Sequence, residues 1–451
     1  MADPATPFIE SLAGFATDTK LEDLPPDVVY HAKLTMLDTF GVALAAGGHS
    51  GCREVVSCVR PSGGAVGDEA AATVWGAGLA APAAEAAYAN GYLSNALDFD
   101  EGWHLGTIII PAVTALAETC PGVSGADLLT AYVVGREAGD RIRAIVEIGR
   151  DRGTGPTRRG WWHPGLVGPI AAAMGCARLL GLPASQAADA AGVACCSSGG
   201  FRQAMGTVAK AMHSANAARD GLHAARLAQL GFPADHRMLD GPVGFLSALE
   251  LPRDAVPQIL ATLGAAYELQ APPRFKLFPV CGAGQDDIGA VAAWRASQDP
   301  GRLSRISRVL VDFHHFSMFR FDARGDVEAG FSMPYAVAAC LVDGGFGLTQ
   351  LSGDRLHDPA IRSLMARVQD RPGTPDAAMV VEFDDGSTEA IAPAGWPAWT
   401  ERAIVDKFLA CASGVTSAAT AEGIVKTVMH LEDSESPLPL AELLGGPSRA
   451  A

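Results

Sequence analysis

Apolar side chains recur at three- and four-residue intervals through most of the first half of the chain, and this spacing predicts one helix after another. Helices are expected over 8–16 and over 27–45, the second started by Leu24-Pro25-Pro26. An Ala-rich helix over 81–97 ends in the acidic run Asp98-Phe99-Asp100-Glu101, and another follows over 107–118, where Pro111 bends or starts it. The stretch 125–148 is amphipathic, with a charged face at Arg136, Glu137, Asp140, Arg141 and Arg143. Three more helices are expected near 165–180, 185–196 and 208–230. Pro61-Ser62-Gly63-Gly64 and the Gly-rich, basic stretch 151–160 read as loops.

The pattern changes near Pro272-Pro273. Beyond it Val309, Val311 and Phe313 alternate as a strand would, and 379–383, Asp384-Asp385-Gly386 and 388–392 read as a hairpin. Helices near 285–297, 331–342 and 358–368 are interleaved with these strands. After Pro393-Ala394-Gly395-Trp396-Pro397, helical spacing returns over 399–431, clearest at Ile424, Val425, Val428 and Leu431. The predicted fold is mainly α: a large all-helical domain made from 1–271 and 398–451, with a smaller α+β lid domain inserted at 272–397. A cleft between them is the expected site.

Composition narrows the partners. With 451 residues, 49% hydrophobic and 19% charged, the chain exceeds one ordinary core and buries much of itself, internally or against a second copy; a homodimer is expected. The longest uncharged stretches are broken by Pro164 and Pro169, and no basic patch followed by an apolar run opens the sequence, so the expected address is cytoplasmic, without membrane association. Nine scattered cysteines without C-x-x-C spacing read as small hydrophobes in a reducing compartment. No H-E-x-x-H pattern, Cys/His cluster or P-loop is present, so neither a metal nor a cofactor is expected. A net charge of -16 disfavours nucleic acid. A small anionic metabolite remains compatible, provided the scarce cations gather around it.

Candidate chemistry lies in few places. Asp98 and His104 share a short irregular segment, where a carboxylate can orient an imidazole. His163, between Trp161-Trp162 and Pro164, sits in an apolar, stiffened turn, where desolvation favours a neutral imidazole able to act as a base. Lys210 and His213 are spaced i to i+3 and would share a helix face. Arg158, Arg159, Arg202 and Lys276, close to Gly or Pro, are candidate carboxylate clamps. Ser197-Ser198-Gly199-Gly200 lacks the G-x-S-x-G setting of a nucleophile, and Cys281 has no histidine near it in sequence.

These residues fall in ordered motifs: Leu97-Asp98-Phe99-Asp100-Glu101, His104 ahead of Pro111-Ala112, residues 160–165, Lys210-Ala211-Met212-His213 with Ala217-Ala218 and Gly221, Lys276-Leu277-Phe278-Pro279, and Phe331-Ser332-Met333-Pro334-Tyr335-Ala336-Val337. In this order and spacing they resemble the MmgE/PrpD family, which includes 2-methylcitrate dehydratase, cis-aconitate decarboxylase and iminodisuccinate epimerase. The resemblance implies a metal-independent site between a helical domain and a lid, usually in a homodimer, with functional residues matching Asp98, His104, His163, Lys210 and Lys276. The chain departs from the family pattern at several points. The segment between Asp98 and His104 is shorter than usual, Leu105 replaces a common proline, and Gly102 lacks a side chain often present. Cys281 and Gln285 stand where histidines are frequent, which counts against cis-aconitate decarboxylation; together with His213, both are candidate substrate contacts.

The reading that follows is a cofactor-independent lyase that dehydrates a hydroxylated di- or tricarboxylate by proton abstraction beside a carboxylate. His163 or His104 would take the proton, the other imidazole or Lys210 would protonate the departing hydroxyl, and Asp98 would orient its histidine partner. An epimerase or isomerase, a decarboxylase of a related polycarboxylate, or a non-catalytic binding protein are the alternatives.

Overall fold

Ala- and Gly-rich helices with few aromatic residues can pack closely, and the described helices before residue 230 do so. The computed structural model describes residues 6–60, 71–311, 322–371 and 379–446. Its longer helices are α1 (Phe8–Asp18), α2 (Pro26–Ala46), α3 (Ala83–Ala96), α4 (Gly106–Glu118), α5 (Gly125–Asp151), α6 (His163–Leu179), α7 (Ala184–Cys195), α8 (Met212–Gln229), α9 (Gln285–Ala296), α10 (Met333–Asp343), α11 (Glu401–Ala412) and α12 (Ala418–Met429). Pro26 opens α2 at its first turn, where a missing N–H costs nothing. The Ser124 hydroxyl accepts from Asp127 N at 3.1 Å and the Asp127 carboxylate from Ser124 N at 3.0 Å, which fixes the start of α5. A Cβ on Gly135 would lie 2.7 Å from Ala171 O and one on Gly175 2.8 Å from Ala131 O, so α5 and α6 approach to backbone distance.

The fold is mainly α, and it departs from the predicted elements in several places, among them the unpredicted short helices Cys52–Cys58 and Leu438–Leu444. A small hairpin, β1 (Ala72–Val74) and β2 (Leu79–Ala81), lies within the helical half. Its three-residue strands are too short to show alternation. The Asn90 side chain holds it, accepting from Trp75 N at 2.9 Å and donating to Thr73 O at 2.8 Å. The helix predicted over 358–368 spans Pro359–Met365 only, because β4 (Val368–Asp370) begins there and pairs in parallel with β3 (Ile306–Val311). β3 also pairs antiparallel with β5 (Met379–Phe383), and β5 with β6 (Thr388–Ile391), giving the order β4-β3-β5-β6. The predicted hairpin is therefore present, turned at Gly386 with φ +85°. Phe313 and the loop at 61–64 lie outside the described residues.

The chain's end returns to its beginning. α11 packs on α2, where Phe408 fills the space left by Gly41. Buried apolar residues form a continuous core that reaches from Phe8 through Val309 and Val381 to Leu444. A separate small cluster, Leu34, Phe275 and Ile404, lies beside Lys276. Among the described residues, no helix is long and apolar enough to cross a membrane.

Candidate active site

The connection from α3 to α4 carries two non-glycine residues in the left-handed region, Asp98 at φ +50° and His104 at φ +62°; among the described residues only Glu250 shares this property. Each costs on the order of 1 kcal/mol and persists only where the surroundings enforce it. Here the enforcement is visible. Lys276 Nζ donates to Asp98 O at 2.8 Å, Lys407 Nζ to Phe99 O at 2.5 Å, and Gly102 N to Arg274 O at 2.9 Å. The Glu101 carboxylate accepts from Trp103 N at 2.9 Å and pairs with Arg136 at 3.2 Å. Lys407 reaches in from α11, ion-paired to Asp38 of α2, and also donates to Lys276 O at 2.9 Å. One ammonium thus ties the Asp98 turn to the segment that carries Lys276.

Asp98 sits between two lysines. Lys210 Nζ donates to its Oδ1, Lys276 Nζ lies 3.2 Å from Oδ2, and His104 Nε2 is 3.6 Å from Oδ1. All four side chains are buried. Burial acts to raise the Asp98 carboxyl, but Lys210 and Lys276 outweigh it and hold the group below its ordinary value. For Lys276, burial acts to lower the ammonium, and Asp98 and Asp100 outweigh it in turn. His104 is held well below the ordinary imidazole value by burial and then by the same two lysines, so its ring is neutral. Its Nδ1 lies 2.6 Å from Asp100 Oδ2 and 3.1 Å from Asn95 Nδ2, which also donates to Asp100 Oδ1 at 3.2 Å, and burial raises the Asp100 carboxyl above its ordinary value. The shortest of these contacts is to the Asp100 carboxyl oxygen, which favours the proton on Nδ1 and leaves Nε2 on the Asp98 side of the ring. Asp98, Asp100 and His104 bring donor atoms within 4.8 Å of one another, and Lys210, Lys276 and the Nδ1 contact already engage them.

His163 is the first residue of α6 and packs on Trp162 and Trp103 with ring centroids 5.0 and 5.8 Å away. His104 rests on the same Trp162 indole at 5.5 Å. The 160–165 segment is fixed by Trp162 N to Gly200 O at 3.0 Å and Arg202 N to Gly160 O at 2.8 Å. Burial, followed by Arg143, Arg202 and Arg150, pushes the His163 imidazole down to about 3.

Residues 10–258 match the MmgE/PrpD N-terminal domain, and residues 278–433 match the MmgE/PrpD C-terminal domain. The chain belongs to the MmgE/PrpD family. It is similar to the cis-aconitate decarboxylase of Homo sapiens, 28% identical over 471 residues that cover 97% of this chain and 95% of that protein. It is equally similar to the cis-aconitate decarboxylase of Aspergillus terreus, 28% identical over 481 residues covering 97% and 95%. A cis-aconitate decarboxylase-like protein of Aspergillus oryzae is 29% identical over 481 residues covering 96% of each.

In this MmgE/PrpD chain the sequence-predicted residues separate into groups. Asp98, His104, Lys210 and Lys276 converge, and His163 stands beside them across Trp162. The carboxylate on the His104 Nδ1 is Asp100, however, and Asp98 serves the lysines. Asp100, Asn95 and Lys407 were not legible as site residues, although Asp100 lies two positions from one that was. Lys210 and His213 do not share a face: Lys210 belongs to a 3-10 turn, Val208–Ala211, that precedes α8, and the change of pitch sends His213 outward to Phe201 O at 3.2 Å.

Arg158 and Arg159 are exposed and bonded to Gly153 O and Glu250, outside the cluster, because the loop that carries them folds back on the end of α5. Arg202 lines a cavity beside His163. Cys281 is buried near Asp98 and Lys276, its thiol pushed up to about 11 chiefly by burial. Gln285 is fully buried, its Oε1 accepting from Leu277 N and Phe278 N and its Nε2 donating to Phe278 O and Val280 O. It splints the Lys276 loop and has no capacity left for a substrate. The charged face of α5 is also interior, with Arg136, Glu137, Asp140 and Arg143 all buried in ion pairs.

Proposed function

We propose that the chain is a lyase acting on a hydroxylated di- or tricarboxylate by proton transfer at a carbon beside a carboxylate. The observation that carries this reading is the pairing of a neutral imidazole of fixed tautomer, His104 on Asp100, with the ammonium groups of Lys210 and Lys276. A lone pair at Nε2 is a base, and two buried cations stabilise the enediolate charge that abstraction creates. His104 takes the α-proton and the Lys276 ammonium holds the developing oxyanion. Lys210 protonates the departing hydroxyl, so one C–H and one C–O bond break and water leaves as the double bond forms. Asp98 pairs with both lysines and favours the charged form of Lys276, and the reading invokes no cofactor. The segment 272–397, which supplies Lys276, serves as the lid, and a homodimer accords with the family.

The names of the relatives favour decarboxylation as a second reading. There the C–C bond to a carboxylate breaks, CO2 leaves, and an ammonium protonates the carbanion. That route needs an acid and makes no use of the His104 lone pair, so dehydration is placed first. A panel of hydroxylated and unsaturated di- and tricarboxylates, incubated in deuterated buffer and followed by proton NMR with CO2 trapping, separates the two. An alkene without CO2 supports dehydration. One equivalent of CO2 per turnover sinks it in favour of decarboxylation, and solvent deuterium in an otherwise unchanged acid sinks both in favour of epimerisation.

A further inference from the structure

His163 lines a cavity of about 140 Å³ to which none of Asp98, His104, Lys210 or Lys276 contributes. Three indoles and three guanidinium groups, those of Arg143, Arg150 and Arg202, form much of its wall, against one carboxylate, Glu147. In a chain of net charge -16 this is a concentration of scarce cations. Their states differ. Arg143 is committed to Asp140 at 2.9 Å, Glu147 at 2.8 Å and Glu268 at 2.8 Å, and it stacks on Trp103. Arg150 is exposed and paired with Asp151. Arg202 is half-buried, and among the described residues no carboxylate lies within ion-pair reach of it.

A second observation points to the same place. His163 Nε2 is buried and has no hydrogen-bond partner, a state that is uncommon and costs about 1–3 kcal/mol. Burial and the three arginines keep the ring neutral, so it can present one N–H without adding charge. An anionic oxygen in the cavity would meet Arg202 beside an imidazole whose Nε2 still lacks a partner. The indoles exclude water and so strengthen both interactions.

We propose that this cavity is a carboxylate subsite, with Arg202 and His163 as its donors, which holds a carboxylate of the ligand remote from the carbon that reacts at His104. It rests on the lyase reading only in calling that ligand a substrate. The ligand class is a short-chain acid with at least two carboxylates, one for the lysine pair and one for Arg202, within the reach set by a single indole, Trp162, between the two imidazoles.

The test is calorimetric titration of the full chain with tricarballylate, glutarate and butyrate, saturated acids with three, two and one carboxylates. Tricarballylate and glutarate are expected to bind more tightly than butyrate. Arg202→Gln should weaken tricarballylate by about tenfold or more and leave butyrate unchanged, the size expected for one charge-assisted hydrogen bond. Arg202→Lys should recover part of the loss. Arg152→Gln, which removes an exposed arginine paired with Asp254, should bind as wild type does. The proposal is overturned if Arg202→Gln, with an unchanged melting temperature, binds tricarballylate as wild type does, or if wild type binds none of the three. Turnover is a separate matter: if wild type converts no acid while Arg202→Gln still weakens tricarballylate, the subsite stands and the lyase reading falls.

Discussion

Replacing Asp100 by Asn removes the charge that fixes the His104 tautomer and leaves the volume unchanged. In the wild type, the Nδ1–H form donates to a buried carboxylate at 2.6 Å, while the alternative form sets a bare nitrogen against that carboxylate. A hydrogen bond to a charged acceptor contributes about 1.5–3 kcal/mol, so the Nδ1–H form should outweigh the other by roughly 10- to 100-fold. An asparagine amide can rotate to accept from Nδ1–H or to donate to a bare Nδ1. The ratio should therefore collapse to within a few-fold of unity in Asp100→Asn. Nitrogen-15 NMR of histidine-labelled protein reads this directly, because protonated and bare ring nitrogens are well separated in shift; a His104→Gln difference spectrum assigns the signal among the 11 histidines. If His104 is the base, kcat should fall by about 100-fold or more in parallel. A wild-type spectrum with the proton on Nε2, or an Asp100→Asn spectrum unchanged from wild type, would refute the reasoning.

Three further outcomes are expected. Burial pushes the Glu118 carboxyl up from 4.5 to about 7, against the lowering effect of its bonds from Thr73, so the folded chain keeps a proton that the unfolded chain releases earlier. Its contribution is full below pH 4.5 and is lost as pH rises through 7, a change of about 3 kcal/mol, so the advantage of Glu118→Gln over wild type in denaturation midpoint should grow between pH 4 and 8. Gln285→Leu deprives two backbone N–H groups and two carbonyls of their partner and should cost about 3 kcal/mol or more while weakening polycarboxylate binding through Lys276; a melting temperature equal to wild type counts against the splint. Gly165→Ala would set a Cβ 2.0 Å from Gly199 O and displace the 199–200 segment whose Gly200 O accepts from Trp162 N, so a loss of about 1–3 kcal/mol is expected in thermal unfolding, and a neutral result would mean that the 199–200 loop gives way freely.

Much of the secondary structure was legible because it is local. Helix periodicity located α1 to α8 to within a few residues, and alternation with a D-D-G turn located β5 and β6. β1 and β2 were missed because they are too short to carry a period, and β4 takes over at Val368, the last residue of a predicted helix, where β3 offers a partner across the sheet. Side chains at the site followed the same division.

Sequence alone determined which chemical groups are available, since Asp98, His104, His163, Lys210 and Lys276 stand in ordered motifs that survive without coordinates. Tertiary structure decided which group serves which. Two left-handed residues turn the 98–104 segment so that Asp100 takes the short contact to the imidazole while Asp98 stays 3.6 Å from its other nitrogen, and spacing cannot foretell a side chain's direction in an irregular turn. The charged stripe of α5 is amphipathic by its polarity, yet it is buried, neutralised by pairs within the helix and by Glu101 and Glu268 from other segments. Lys407 reaches Phe99 from 308 positions away, a contact that only the packing of α11 on α2 creates. Local pattern follows from backbone geometry that each residue carries with it, whereas the pairing of buried charges follows from which distant segments are desolvated together.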